Sequence, residues 1–91
     1  MDIKHEGNVF YIGEDVENTK AKMTYKETGK NILIIDSTLV SKELEGQGIG
    51  KKLLKEVVDF AREEEKKIMS TCPYAIAQLE KNEEYHDIYL K

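Results

Sequence analysis

The chain has few of the residues that mark disulfide-rich or membrane-spanning proteins. It has one cysteine, one proline and no tryptophan among 91 residues. A single cysteine cannot form a disulfide within the chain. No apolar run approaches the ~18 residues that a membrane-spanning helix needs, and the first residues lack the apolar core of a secretory signal. We therefore expect a cytoplasmic protein that does not bind membranes.

The charge balance narrows the class of partner. Acidic residues outnumber basic ones, 18 to 14, and the formal net charge is −4. Because neutralisation of phosphates by Lys and Arg dominates nucleic-acid binding, this balance argues against nucleic acid as the main partner. Hydrophobic residues make up 40% of the chain, which is typical of globular proteins. We expect residues 1–91 to fold as one domain with a modest core, and we expect a monomer.

Hydrophobic patterning in the first half predicts three strands. Residues 9–12 form a short apolar run that ends at Gly13. Residues 20–28 alternate apolar and polar side chains, which is typical of a strand with one exposed face. A turn over residues 28–31 leads to an almost continuous aliphatic run over residues 31–40, which predicts the central strand. These strands are expected to form an antiparallel meander.

The second half predicts a strand–helix–strand unit and a further helix. From Gly48 the apolar residues follow one helical stripe, and residues 67–72 then form a short strand. Pro73 ends that strand and suits the first turn of a helix over residues 74–81. The strands that flank the first helix should be parallel. The fold class is therefore mixed α/β, with about four strands, and the apolar tail, residues 83–91, is expected to pack back through Tyr85 and Tyr89.

A turn with three glycines, Gly46, Gly48 and Gly50, joins the central strand to the first helix. Glycine permits φ > 0 and a close approach of the backbone to a ligand. The start of a helix adds free N–H groups and the positive end of the helix dipole. Together these features favour an anion site, most often for phosphate.

Two familiar phosphate loops do not fit this turn. A P-loop would need glycine in place of Glu45 and Ser or Thr in place of Lys52. A dinucleotide-binding loop would need glycine in place of Lys51 and a βαβ unit at the start of the fold. The first interpretation fails, and the second is weak.

The turn instead resembles motif A of the GCN5-related N-acetyltransferase superfamily. That motif reads Arg or Gln, two residues, Gly, one residue, then Gly or Ala, and Gly48-Ile49-Gly50 supplies its second half. A short branch of the superfamily also has a Thr-x-Val strand end and a Cys-Pro-Tyr element, which here are Thr38-Leu39-Val40 and Cys72-Pro73-Tyr74. Two positions depart from the pattern. Glu45 occupies the first position of motif A, and Ser37 occupies a position that is commonly His.

The resemblance implies acetyl-coenzyme A, or coenzyme A, as the cofactor. Backbone N–H groups of the glycine turn would hold the pyrophosphate, and the end of the central strand would bond the pantetheine arm. The implied cofactor-binding residues are Leu39, Val40, Glu45, Gly46, Gln47, Gly48, Ile49, Gly50, Lys51 and Lys52. Lys51, Lys52 and Lys55 either add positive charge near the phosphates or form a solvated helix face.

The resemblance also implies that Cys72 and Tyr74 are the catalytic candidates. The Cys72 thiol could protonate the leaving thiolate or briefly carry the acetyl group; the alternative is a small buried hydrophobic residue. Tyr74 is the second candidate acid, with core packing as its alternative. A general base is expected but not identified, although Asp36 and Glu43 flank the region. The two histidines are too isolated to indicate a metal site, so no metal is expected.

The implied reaction is acetyl transfer from acetyl-coenzyme A to an amine of a small molecule or a protein. The alternative is a coenzyme A-binding module with little or no catalysis, acting as a sensor or partner-binding domain. Glu45, Ser37 and the missing base motivate that alternative. A third hypothesis is an adaptor domain with a vestigial loop, which the lack of a large apolar surface in the sequence disfavours.

Overall fold

A computed structural model describes residues 2–90 of the chain. The strands run β1 to β5 in chain order across one sheet. They are β1 (Lys4–Glu6), β2 (Val9–Asp15), β3 (Asn18–Thr28), β4 (Ile32–Val40) and β5 (Lys67–Ser70). The helices are α1 (Ile49–Glu63) and α2 (Pro73–Lys81), with short 3-10 helices at Lys42–Leu44 and Glu83–Tyr85. Met1 and Lys91, which belong to the expected domain range, lie outside the described residues.

The strand pairing confirms the predicted topology. Each strand from β1 to β4 pairs antiparallel with the next one in the chain, and β4 pairs with β5 in parallel. Helix α1 connects these two parallel strands, and α2 follows β5. The molecule therefore has a mixed α/β fold with an antiparallel meander, a parallel strand–helix–strand unit and a C-terminal helix.

The sheet has one strand more than the sequence predicts. The residues of β1 are all exposed, so no apolar alternation indicates a strand there. This strand pairs with β2, and the His5 ring stacks on Phe10 with ring centroids 3.9 Å apart. The His5 Nε2 also lies 2.8 Å from the Tyr25 hydroxyl. Backbone pairing and ring contacts therefore hold β1, rather than burial of its side chains.

Several boundaries differ from the prediction by one to three residues. Strand β2 continues through Gly13 to Asp15, with a register shift at Gly13. A Cβ at Gly13 would collide with the Asn18 carbonyl, so the glycine permits close pairing here and does not end the strand. Strand β5 ends at Ser70, two residues before the predicted end at Cys72, because the chain turns there toward α2.

The hydrophobic core lies between one face of the sheet and the two helices. On β3 the predicted inward residues Ala21, Met23 and Tyr25 are all buried. Helices α1 and α2 contribute their apolar stripes to the same cluster; the buried residues of these stripes are Ile49, Gly50, Leu53, Leu54, Val57, Val58, Ala61, Ala75 and Leu79. Full burial of one aliphatic side chain contributes about 1.5–3 kcal/mol. The core therefore fixes α1 and α2 against the sheet.

The tail packs back on the sheet, as predicted. Ile88 is buried, and Tyr85 and Tyr89 pack against the core. The Ile68 N–H donates to the Ile88 carbonyl at 2.7 Å, and the Leu90 N–H donates to the Ile68 carbonyl at 2.8 Å. The tail therefore lies along the outer edge of β5. Within residues 2–90, no helix has the length and apolarity needed to cross a bilayer.

Candidate functional site

Strands β4 and β5 separate after a short parallel ladder. Their last pair is Ile35 with Ser70, and the Thr71 N–H still donates to the Ile35 carbonyl at 2.9 Å. Beyond this point β4 continues to Val40, paired with β3 alone. Among the described residues, the β5 side of residues 37–40 therefore has no strand partner. We call this opening between β4 and the start of α2 the fork.

The pairing pattern shows which backbone groups of β4 face the fork. The Ser41 N–H donates to the Lys20 carbonyl at 2.8 Å. Antiparallel pairs alternate between hydrogen-bonded and non-hydrogen-bonded positions. Leu39 therefore directs its N–H and C=O toward β3, whereas Thr38 and Val40 direct theirs toward the fork. The polar backbone of β4 is thus available to a ligand at these two residues.

A cleft of about 340 Å³ opens at the fork. It is lined by the end of β4, the glycine turn, the first residues of α1 and the start of α2. The lining residues are Thr38, Val40, Leu44, Glu45, Gly46, Gly48, Ile49, Gly50 and Tyr74. The structure thus brings most of the predicted cofactor-binding residues together around one cleft.

The remaining predicted cofactor-binding residues lie outside the lining of this cleft. Leu39 is 57% exposed. Gln47 donates its side-chain Nε2 to the Glu43 carbonyl at 3.3 Å. Lys51 and Lys52 line a separate groove of about 260 Å³ between α1 and the end of α2. The two lysines therefore flank the cleft on the α1 surface.

Two glycines of the turn have a backbone conformation that other residues rarely adopt. Gly46 has φ 81° and Gly48 has φ 71°, in the left-handed region that disfavours a Cβ by about 1–2 kcal/mol per residue. A Cβ at either residue would meet no atom within 4 Å. The backbone conformation therefore favours glycine at these positions, and the space beside both remains open.

Gly48 is also the N-cap of α1, and it provides no side chain to cap the helix. The first turn of α1 contains no acidic residue, and the Lys52 N–H donates to the Gly48 carbonyl at 3.1 Å. The N–H groups of residues 49–51 come before this first helical hydrogen bond, so they have no acceptor within the helix. These amides and the helix dipole favour a negative group at the mouth of the cleft.

Gly50 has a different role from that of the two other glycines. A Cβ added at Gly50 would lie 2.6 Å from the Tyr74 hydroxyl oxygen and 2.8 Å from its Cζ atom. The Tyr74 ring therefore packs directly on the α1 backbone at Gly50. Burial, and to a smaller extent Cys72, raise the pKa of the Tyr74 phenol above 10.0, so the phenol is protonated at neutral pH.

Cys72 lies at the start of α2, across the fork from β4. Its side chain is buried, and its thiol donates to the Thr38 hydroxyl with Sγ and Oγ1 3.4 Å apart. The Cys72 N–H donates to the Ser70 Oγ at 3.0 Å. The thiol therefore contacts β4, whereas the Tyr74 hydroxyl contacts α1, so the two candidate catalytic groups face different walls of the fork.

The carboxylates that sequence analysis offers as bases point elsewhere. Asp36 accepts a hydrogen bond from the Thr24 hydroxyl and pairs with Lys26 at 3.9 Å. Glu43 pairs with Lys20 at 3.6 Å. Neither residue lines the cleft, whereas Glu45 does. Glu45 is exposed, so its carboxylate is hydrated beside the expected anion position.

Sequence analysis missed two lining residues and one supporting residue. Thr38 is part of the Thr-x-Val motif but is not among the predicted site residues, and neither is Leu44. Ser70 was not considered either, although its hydroxyl donates to the Ile35 carbonyl of β4 and accepts the Cys72 N–H at the start of α2. Alternation from the buried Leu33 and Ile35 would have indicated Ser37 instead of Thr38, because the register shift between β3 and β4 changes the phase of the strand. Ser70 could not be found this way either, because its role depends on where the two strands separate.

Residues 9–88 match the family model described as GCN5-related N-acetyl-transferase. The chain belongs to this family. No curated protein matches it significantly.

Two solved structures resemble this family member. A GCN5-like protein from Staphylococcus aureus, assigned as an N-acetyltransferase and solved by NMR, is 50% identical with a TM-score of 0.84. The alignment covers 98% of this chain and 87% of that one. A crystal structure of a protein from Desulfovibrio desulfuricans, assigned to the GNAT acetyltransferases, has a TM-score of 0.56 at 21% identity. It aligns over 66% of this chain and 40% of that one, and it shows the shared fold alone.

Proposed function

We propose that the protein binds acetyl-coenzyme A in the fork and transfers its acetyl group to an amine. The observation that carries this proposal is the arrangement of two polar surfaces along one cleft. The free backbone groups of Thr38 and Val40 suit the amide-containing pantetheine arm. The open, uncapped start of α1 at Gly48 suits the pyrophosphate.

When bound, acetyl-coenzyme A would supply the thioester that the amine attacks, with a C–N bond formed and the C–S bond broken. The attacking amine would lose its proton to solvent, while the Cys72 thiol would donate its proton to the departing sulfur and then recover one from solvent. The Tyr74 phenol is the second candidate donor, because Tyr74 lines the cleft. Thr38 would orient the Cys72 thiol through the contact between Sγ and Oγ1.

A second candidate function is a module that binds coenzyme A with little or no catalysis. One observation favours it. Asp36 and Glu43 do not line the cleft, and the carboxylate that does, Glu45, lies in the glycine turn. None of these groups is in a clear position to take a proton from the attacking amine. In this case the protein would act as a sensor or as a partner-binding domain.

Calorimetric titration with coenzyme A tests both candidates together, because both require binding. We expect saturable binding and perturbed amide resonances at Gly46, Gly48 and Gly50. Absence of binding at millimolar coenzyme A would overturn both. Mass spectrometry after incubation of acetyl-coenzyme A with a panel of amines and basic peptides then separates them, since only an acetyltransferase gives acetylated acceptors above the uncatalysed rate.

The acceptor is a small-molecule or protein amine under this proposal, and nucleic acid is not a partner. We also propose a monomer located in the cytoplasm. Size-exclusion chromatography with light scattering tests the first of these, and fractionation of cells that express the protein tests the second.

A further inference from the structure

A single serine hydroxyl connects the two strands where the fork begins. Ser70 is the last residue of β5, and it pairs with Ile35 of β4. Its Oγ donates to the Ile35 carbonyl at 3.0 Å and accepts the Cys72 N–H at 3.0 Å. The Cys72 carbonyl lies 3.2 Å from the same oxygen. The side chain therefore links the last paired carbonyl of β4, that of Ile35, to the N–H of Cys72 at the start of α2.

The Ile35 carbonyl is the end point of the parallel ladder. It accepts the Thr71 N–H at 2.9 Å in addition to the Ser70 hydroxyl, so both of its lone pairs are used. The pairing of β4 with β3 changes register here too, since Tyr25 pairs with Ile35 and Thr24 pairs with Ser37. Such a bulge bends the strand. Strand β4 therefore bends away from β5 at Ile35, the residue that accepts the hydrogen bond from Ser70.

The position of Cys72 depends on the same hydroxyl. Its backbone N–H is held by Ser70 on one side of the fork, and its thiol contacts Thr38 on the other side. Without the Ser70 hydroxyl, the Cys72 N–H would lose its hydrogen-bond acceptor. An unpaired buried donor is unfavourable, so the chain from Ser70 to Cys72 would shift to find another acceptor.

We propose that Ser70 is a positioning residue of the cleft. Its hydroxyl sets the point at which β4 and β5 separate, and thereby holds the Cys72 thiol against Thr38. The same bonds keep the backbone of Thr38 and Val40 free for a ligand. The role of Ser70 in binding coenzyme A rests on the proposed function, whereas its control of the Cys72 thiol is a property of the free protein.

A matched pair of variants tests this role. Ser70→Thr retains the hydroxyl. Ser70→Val places a side chain of nearly the same shape as threonine at this position, but without the hydroxyl. Thr71→Ala is the control, because it removes the hydroxyl of an exposed neighbouring residue. Cys72 is the chain's single cysteine, so alkylation by iodoacetamide reports on this thiol alone. All variants are compared well below their unfolding temperatures, with the coenzyme A Kd measured on the same samples.

We expect Ser70→Val to raise the alkylation rate of Cys72 and the coenzyme A Kd, each by about tenfold, which corresponds to the loss of one ordinary hydrogen bond. Ser70→Thr and Thr71→Ala should remain close to the wild type. If Ser70→Val does not fold, Ser70→Ala takes its place in the same comparison. A purely structural serine would lower the unfolding temperature of the variant and leave native-state alkylation and Kd unchanged, which would overturn the inference.

The outcomes separate this inference from the proposed function. If the wild type fails to bind coenzyme A, the proposed function is wrong, and the alkylation rates still decide whether Ser70 controls Cys72. If the wild type and Ser70→Val bind coenzyme A equally and react equally with iodoacetamide, the role of Ser70 is wrong and the proposed function is unaffected.

Discussion

The Tyr74 ring occupies the space that a side chain at position 50 would need. The hydroxyl oxygen of Tyr74 would lie 2.6 Å from a Cβ at Gly50. This contact joins the beginning of α2 to the first turn of α1, on the wall of the cleft. Gly50 is therefore explained by the packing of the two helices, although it lies in a motif associated with phosphate.

Gly50→Ala should destabilise the protein in spite of the higher helix propensity of alanine. That propensity favours Ala by about 1 kcal/mol, whereas overpacking costs about 1–3 kcal/mol. Denaturation in urea measures the net change. Tyr74→Ala should make the alanine at position 50 harmless, so the double-mutant cycle should be strongly non-additive. A stabilised Gly50→Ala variant would show that Tyr74 moves away freely.

Gly48→Val should weaken the binding of coenzyme A by at least about tenfold, because a branched side chain would fill the space expected for phosphate and strain the left-handed backbone. Gly29→Val is a matched control. Gly29 has φ 62° and equally open space, but it lies in the turn between β3 and β4. Calorimetry should show reduced affinity for Gly48→Val alone. Equal affinity in both variants would exclude the glycine turn as the binding site.

Glu45→Gln should tighten the binding of coenzyme A several-fold. The Glu45 carboxylate lines the cleft beside the expected phosphates, and like charges repel. Since salt screens charges at exposed positions, the gain should shrink at high ionic strength. Glu43→Gln is the control, because Glu43 pairs with Lys20 and does not line the cleft. A Glu45→Gln variant with weaker affinity would indicate that the carboxylate contacts the ligand favourably.

Cys72→Ala should lower the turnover of any amine acceptor by about 10²-fold if the thiol protonates the leaving sulfur, which is the lower range for general acid catalysis. The coenzyme A Kd should change little, because the cleft lining does not include Cys72. Steady-state kinetics and calorimetry on the same variant distinguish the two effects. Unchanged turnover would assign Cys72 to packing.

Acid should weaken the attachment of the tail to α1. A hydrogen bond from Arg62 is the main cause that lowers the pKa of Asp87 below 3.8. Asp87 thus contributes stability above pH 3.8, and this contribution is lost as the pH falls through its lowered pKa. The protection of the Leu90 amide, measured as its exchange rate relative to the intrinsic rate at the same pH, should decrease over that interval. Asp87→Asn should remove most of this pH dependence, whereas Asp59→Asn, which alters a pair with Lys55, should not.

The sequence allowed the main architecture to be predicted because its signals are local. The alternation over residues 20–28, the aliphatic run over residues 31–40 and the stripe of α1 each reflect burial on one face. Strand β1 was not predictable in this way, since its residues are exposed and its contacts include a residue far away in the chain, as with His5 and Tyr25.

The candidate site could be predicted only in part, for a related reason. The positive φ of Gly46 and Gly48 and the helix that follows have a local sequence signature. The contacts of Gly50 with Tyr74, of Cys72 with Thr38 and of Ser70 with Ile35 join distant parts of the chain. Their geometry depends on where β4 and β5 separate, which no residue type specifies by itself.

The tail along β5 also limits hydrogen bonding between this edge of the sheet and the sheet of another molecule. Ile68 already bonds Ile88 and Leu90 through its N–H and C=O, so this side of the sheet has little unpaired backbone at its centre. The opposite side ends in β1, a strand of 3 exposed residues with charged ends. Short, charged or covered edges oppose the addition of strands from another molecule. The two outer edges of the sheet therefore oppose edge-to-edge pairing between molecules, in contrast to the unpaired backbone of β4 at the fork.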